Sequence, residues 1–92
     1  MSKLVLLKGT DDKSLGMAIG LEDAAIVLLQ DAVYMAKESL LLSEAAKRRT
    51  VYVLSVDAAR RGIDAGQLKG MLSIDYGELV DLVFSGSEVI NL

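Results

Sequence analysis

Acidic residues recur just beyond the apolar runs of this chain: Asp31 after Ala24 to Leu29, Asp57 after Val51 to Val56, and Asp75 after Met71 to Ile74. Drawn together by the fold, such carboxylates would suit a magnesium ion or an acid/base pair. Each also stands where a helix N-cap needs a side-chain acceptor, and the capping reading is preferred. The stretch Lys8-Gly9-Thr10-Asp11-Asp12-Lys13-Ser14 joins a strand-like run to a helix start, where backbone N–H groups can cradle a phosphate. It lacks the G-x-x-x-x-G-K-[ST] spacing, and its adjacent carboxylates would repel the anion, so a tight turn with an N-cap is the better reading. The 92 residues contain no Cys, His, Trp or Pro, which excludes thiol nucleophiles, disulfides, Cys/His zinc sites, Ser-His-Asp triads and imidazole proton transfer. No catalytic residue, metal ligand or cofactor site is assigned.

The net charge of -3 argues against a dedicated nucleic-acid binder. Its distribution is uneven. Lys47-Arg48-Arg49 and Arg60-Arg61 form a basic island between two acidic arms. A strand separates the two clusters by roughly 20 Å at about 3.3 Å per residue, which disfavours a single patch. Cations near helix C-termini are the preferred explanation. Direct RNA contact is the minor one, because aromatic residues for base stacking number only four, Tyr34, Tyr52, Tyr76 and Phe84.

The elements that position these groups are legible from composition and period. Leu4 to Leu7, Ala24 to Leu29, Val51 to Val56 and Met71 to Ile74 read as strands buried on both faces, and Val89-Ile90 as a short terminal strand at a sheet edge. Between them, Asp11 or Asp12 opens a helix ending near Gly20, and Ala32 opens a second that runs to about Lys47-Arg49. Asp57 opens a short turn closed by Gly62, and residues 63–70 read as a loop. The clearest helix has Asp75 as cap, Glu78 completing a capping box, and Tyr76, Leu79, Val80 and Val83 as its apolar stripe. Strands alternating with helices indicate an α/β fold in three layers, α/β/α, with a mostly parallel sheet of about five strands. In such sheets function gathers at the carboxyl ends of the strands.

At 92 residues and 52% hydrophobic, the chain is expected to be a single domain spanning residues 1–92, with more apolar surface than one small core can hide. Tyr34, Met35, Leu40, Leu41 and Leu42 lie on more than one side of their helix, which marks an oligomer interface. The longest apolar run, Ala24 to Leu29, is far short of the ~20 residues that span a bilayer, and no signal peptide is read at Met1-Ser2-Lys3. A cytoplasmic protein without membrane attachment is expected.

Four segments, in order, resemble the DsrH/TusB family of DsrE/DsrF/DsrH-like sulfur-relay proteins. They are Leu4-Val5-Leu6-Leu7-Lys8-Gly9-Thr10; Ile26-Val27-Leu28-Leu29-Gln30-Asp31-Ala32-Val33-Tyr34, similar to "V-L-L-x-[ED]-G-V-Y"; and Val51-Tyr52-Val53-Leu54 with Asp57 and Arg61-Gly62, similar to "V-Y-x-L-x-x-D-x-x-A-R-G". The fourth comprises Ile74-Asp75-Tyr76, Leu79 to Val83 and Val89-Ile90. The resemblance implies a cytoplasmic α/β subunit that assembles with itself or with DsrE-like and DsrF-like paralogues, often as a hexamer of paired trimers. In that family persulfide sulfur passes along cysteines toward 2-thiolation of the tRNA wobble uridine or within sulfur oxidation.

The sulfur-bearing cysteine lies chiefly on the DsrE-like partner, and some DsrH members carry one in the first helix. The corresponding Leu15-Gly16-Met17-Ala18 has none. Ala32 stands where the family has Gly, Arg60 replaces the Ala of "A-R-G", and the terminal Trp is absent.

The leading expectation is thus a non-catalytic structural or regulatory subunit of a sulfur-relay complex, touching tRNA only indirectly. Lys8, Asp31, Tyr34, Leu41 and Arg61 are its candidate interface or docking residues. The alternative is a stand-alone homodimer binding a small anion or nucleotide at the strand carboxyl ends.

Overall fold

The computed structural model, which describes residues 3–64, 68 and 70–92, turns the apolar runs into five strands: β1 (Lys3–Leu7), β2 (Ala24–Leu28), β3 (Val51–Leu54), β4 (Leu72–Ile74) and β5 (Glu88–Asn91). Every pairing is parallel, in the order β4-β3-β2-β1-β5. The three-layer α/β fold expected from the strand and helix alternation is the one observed, with β5 at an edge as expected.

The order explains how the helices are shared out. Parallel crossovers are right-handed, so successive steps in one direction place their helices on one face, and a reversed step places its helix on the other. The chain steps from β1 to β4 in one direction and then returns across the whole sheet to β5. The larger core accordingly joins Val5, Leu7, Ile26, Leu28 and Val53 to Leu15 and Ala18 of α1 (Asp12–Gly20) and Leu42 of α3 (Leu40–Ala45). The alternate residues Leu4, Val27, Leu29 and Leu54 face the other way, onto Leu79 of α5 (Tyr76–Val83). One short helix cannot cover that face, and Leu6, Ala25, Tyr52 and Val89 stay half-buried there.

The second crossover departs from the single long helix expected from Ala32 to Lys47-Arg49. It consists of a 3-10 turn (Gln30–Tyr34), α2 (Met35–Glu38) and α3. Ser39 adopts extended geometry (φ -91°, ψ 117°) and its hydroxyl accepts the Leu42 N–H at 3.2 Å, so the competing side-chain acceptor starts a new helix. β3 ends at Leu54 rather than Val56, and α4 (Ser55–Arg60) begins before Asp57. Gly62 closes α4 at φ 73°, as its type suggests. Gly20 is the last residue of α1 and has no positive φ; the carbonyls there are taken up by Arg49, which donates to Ala18, Ile19 and Leu21 at 2.7–3.3 Å. The loop expected over 63–70 falls largely on residues 65–67 and 69, outside the described residues.

Candidate functional site

The thin cover over the second sheet face leaves a groove of about 680 Å³ at the strand carboxyl ends. Leu6, Leu29 and Leu54, from the ends of three adjacent strands, contribute to its lining on the sheet side. α5 forms one wall. Its N-terminus is set by the expected capping box: Asp75 accepts the Glu78 N–H at 2.7 Å and Glu78 accepts the Asp75 N–H at 3.0 Å.

The stripe Tyr76, Leu79, Val80 and Val83 does not all enter the core. Leu79, Leu82 and Val83 pack toward the sheet, whereas Tyr76 (66% exposed), Val80 (40%) and Phe84 (83%) face the groove and solvent. α5 therefore carries two adjacent apolar stripes, and only one is needed for folding. The other is an exposed apolar patch of the kind that marks contact surfaces.

The opposite wall is polar and comes from α4 and the start of the second crossover. Gln30 has φ 51°, the only positive φ outside glycine among the described residues. Its N–H donates to the Asp57 carboxylate at 2.7 Å, and Asp57 is 9% exposed. Asp57 does not cap α4, where Leu54 holds the N-cap position without a side-chain bond. It sits one helical turn in and reaches across to β2's exit. Arg61 donates from Nε to Asp31 at 3.0 Å and from Nη1 to the Asp57 carbonyl at 3.2 Å. Asp31 likewise caps nothing; Leu29 is the N-cap of its turn. Among the described residues Arg60 makes no hydrogen bond or ion pair, so its guanidinium stands free at the rim.

Of the five residues expected to dock a partner, the structure brings Asp31 and Arg61 together at this groove. Lys8 turns aside: its ammonium donates to Asn91 Oδ1 at 3.0 Å, tying the ends of β1 and β5. Tyr34 is exposed at the end of the 3-10 turn, and Leu41 lines a separate depression with Met35 and Ser39. Asp31, Asp57 and Asp75 do not converge, and among the described residues no cluster of His, Cys, Asp or Glu is placed to hold a metal ion.

The basic island is also divided. Arg49 is committed to the end of α1, Lys47 pairs with Glu44 at 3.2 Å, and Arg61 is engaged as described.

At the first loop, Asp11 caps α1 by accepting the Ser14 N–H at 3.0 Å. Hydrogen bonds from the Ser14 side chain and then its backbone N–H hold the Asp11 carboxyl below its ordinary value. An ionised carboxylate thus occupies the helix N-terminus that an anion would need. This counts against the small-anion reading.

Sequence reasoning missed Gln30, Val80 and Phe84 as groove residues. Val80 had a signal: Tyr76 and Val80 lie four apart and Phe84 extends the same row, a second stripe beside Leu79-Leu82-Val83. Gln30 had none, because glutamine carries no mark of left-handed backbone. Ala32, which replaces the family's Gly, is fully buried in the 3-10 turn without a positive φ; its N–H donates to Lys8 and Leu29 carbonyls at 3.1 and 3.0 Å. The left-handed residue lies two positions earlier.

A thiol-free, five-stranded parallel α/β domain with an apolar groove at its strand ends defines a class of small binding subunits. Comparison with known proteins specifies it further. The family model described as "DsrH like protein" matches residues 10–89, and the chain belongs to this family. It is thereby a sulfur-relay-family protein, as the four sequence segments implied.

Among solved structures, the ychN protein from E. coli superposes with a TM-score of 0.74 at 21% identity, covering 100% of both chains. A conserved protein of unknown function from Bacteroides thetaiotaomicron gives a TM-score of 0.70 at 17% identity, covering 99% of this chain and 95% of the other. These likenesses establish a shared fold. No curated protein matches the sequence.

Proposed function

We propose that this chain is a non-catalytic structural or regulatory subunit of a DsrEFH- or TusBCD-like sulfur-relay complex, acting in the cytoplasm with DsrE-like and DsrF-like paralogues. The observation that carries the reading is the absence of cysteine from a member of this family. Relay chemistry moves sulfane sulfur by attack of a thiolate on a persulfide, and only a thiolate performs that step. This chain offers no acceptor, so the sulfur passes between partners while this subunit holds or selects them. The first-helix segment supports the reading: Gly16 and Met17 are exposed on α1, yet neither can accept sulfur. The relay serves 2-thiolation of the tRNA wobble uridine or sulfur oxidation, and tRNA contact is indirect.

Co-expression with cysteine-bearing DsrE-like and DsrF-like proteins, followed by sulfane-sulfur labelling, tests it. The expected result is co-purification with label on a partner and none on this chain. Stable stoichiometric label on this chain, or failure to associate with any such partner, overturns it.

A further inference from the structure

The break in the second crossover has a consequence on the surface. Because Ser39 is extended, Leu40 and Leu41 project from the start of α3, at 82% and 59% exposure. The depression they line includes the carboxylates of Asp12 and Glu38 and no cation. Both carboxylates are exposed, and among the described residues neither makes an ion pair. This is an apolar knuckle with an acidic surround.

The groove beside α5 has the opposite character. Its lining is largely apolar, with Arg60 and Arg61 as its cations, and its one carboxylate, Asp57, is turned inward onto the Gln30 N–H. Its volume of about 680 Å³ has room for two leucine side chains, and falls within the several hundred Å³ typical of binding clefts.

Knuckle and groove belong to different sides of the sheet. α3 packs into the core shared with α1, whereas α5 covers the other face. One copy therefore cannot fill its own groove. We infer that the Leu40-Leu41 knuckle of one copy docks in the α4–α5 groove of a second copy, with Glu38 and Asp12 set against Arg60 and Arg61. Each copy then presents a free groove at one end and a free knuckle at the other. Such head-to-tail contacts close into a ring or continue as a filament. The complementary signs suppress the like-with-like pairings, knuckle to knuckle and groove to groove. The second copy is the occupant because this chain itself carries both halves of the match. The inference does not depend on the sulfur-relay reading, which the labelling experiment tests separately.

Light scattering on the full chain after size exclusion provides the test. The wild type is expected to be an oligomer. Leu40→Asp and Phe84→Asp alter residues more than four-fifths exposed, so far-UV circular dichroism should be unchanged, and each variant alone should be monomeric. An equimolar mixture of the two should form a 1:1 dimer, because the Phe84→Asp chain retains its knuckle and the Leu40→Asp chain retains its groove. A contact between identical patches would leave the mixture monomeric. Glu38→Arg and Arg60→Glu should each weaken assembly by about threefold to tenfold, and their combination in one chain should restore it. A monomeric wild type, either apolar variant keeping the wild-type mass, a mixture without the 1:1 species, or a charge-swapped double variant weaker than both singles would overturn the inference.

Discussion

Asp57→Ala isolates the interaction that holds the polar wall of the groove. The carboxylate accepts the Gln30 N–H at 2.7 Å, while the contact from Arg61 goes to the Asp57 backbone carbonyl and survives truncation. Loss of a charge-assisted acceptor, with the Gln30 N–H left partly buried and unpaired, costs about 2–3 kcal/mol. For a domain of this size each kcal/mol moves the melting temperature by about 4–8 °C, so a fall of about 8–20 °C is expected.

Gln30 supplies the control. Its φ of 51° carries a left-handed cost of about 1–2 kcal/mol, of which Gln30→Gly should recover about 0.5 kcal/mol after the added chain entropy. If Asp57 holds Gln30 in that conformation, its truncation should hurt less once residue 30 is glycine. The coupling expected in a double-mutant cycle is about 0.5–1 kcal/mol. Urea unfolding of the four proteins measures it. An Asp57→Ala cost below about 0.5 kcal/mol, or strict additivity with Gln30→Gly, would refute the assignment.

Other positions make independent claims. Arg49→Met removes all three guanidinium bonds to the end of α1 and should cost about 2–3 kcal/mol in urea unfolding, although it also removes a buried Nε that lacks a partner. Asp75→Ala dismantles the capping box of α5 and should cost about 1 kcal/mol, read as a lower unfolding midpoint at unchanged m-value. Asp11 is lowered from its model value of 3.8, so its contribution is fully present above that value and is lost as pH falls through the folded-state value. The stability gap between wild type and Asp11→Asn should therefore shrink in acid unfolding curves below about pH 4.

The parallel sheet was legible because its strands are unbroken apolar runs, which only a sheet covered on both faces accommodates. The capping box of α5 was legible because Asp75 and Glu78 act locally, three residues apart. Asp31 and Asp57 resemble Asp75 in sequence position, yet their partners lie 30 and 27 residues away, so local chemistry assigned them the wrong role. The break at Ser39 hid for a related reason: a serine inside a helical period is neutral until its hydroxyl takes a backbone donor, as it does from Leu42. The split in α5 follows from topology. Whether Val80 and Phe84 belong to the core depends on how many helices share their face, and the strand order leaves α5 alone there. The surplus of apolar residues was visible in composition, but dividing it between a knuckle and a groove required the fold.

The central claim is that this DsrH-like chain organises a sulfur relay without carrying sulfur. Its most direct test is intact-mass spectrometry of the chain after incubation with a persulfide-loaded, cysteine-bearing DsrE-like partner, with the partner's discharge followed in parallel. The account predicts that the chain binds the partner and alters its discharge while its own mass stays unchanged. A mass gain corresponding to bound sulfur on this chain, or partner discharge indifferent to its presence, would contradict it.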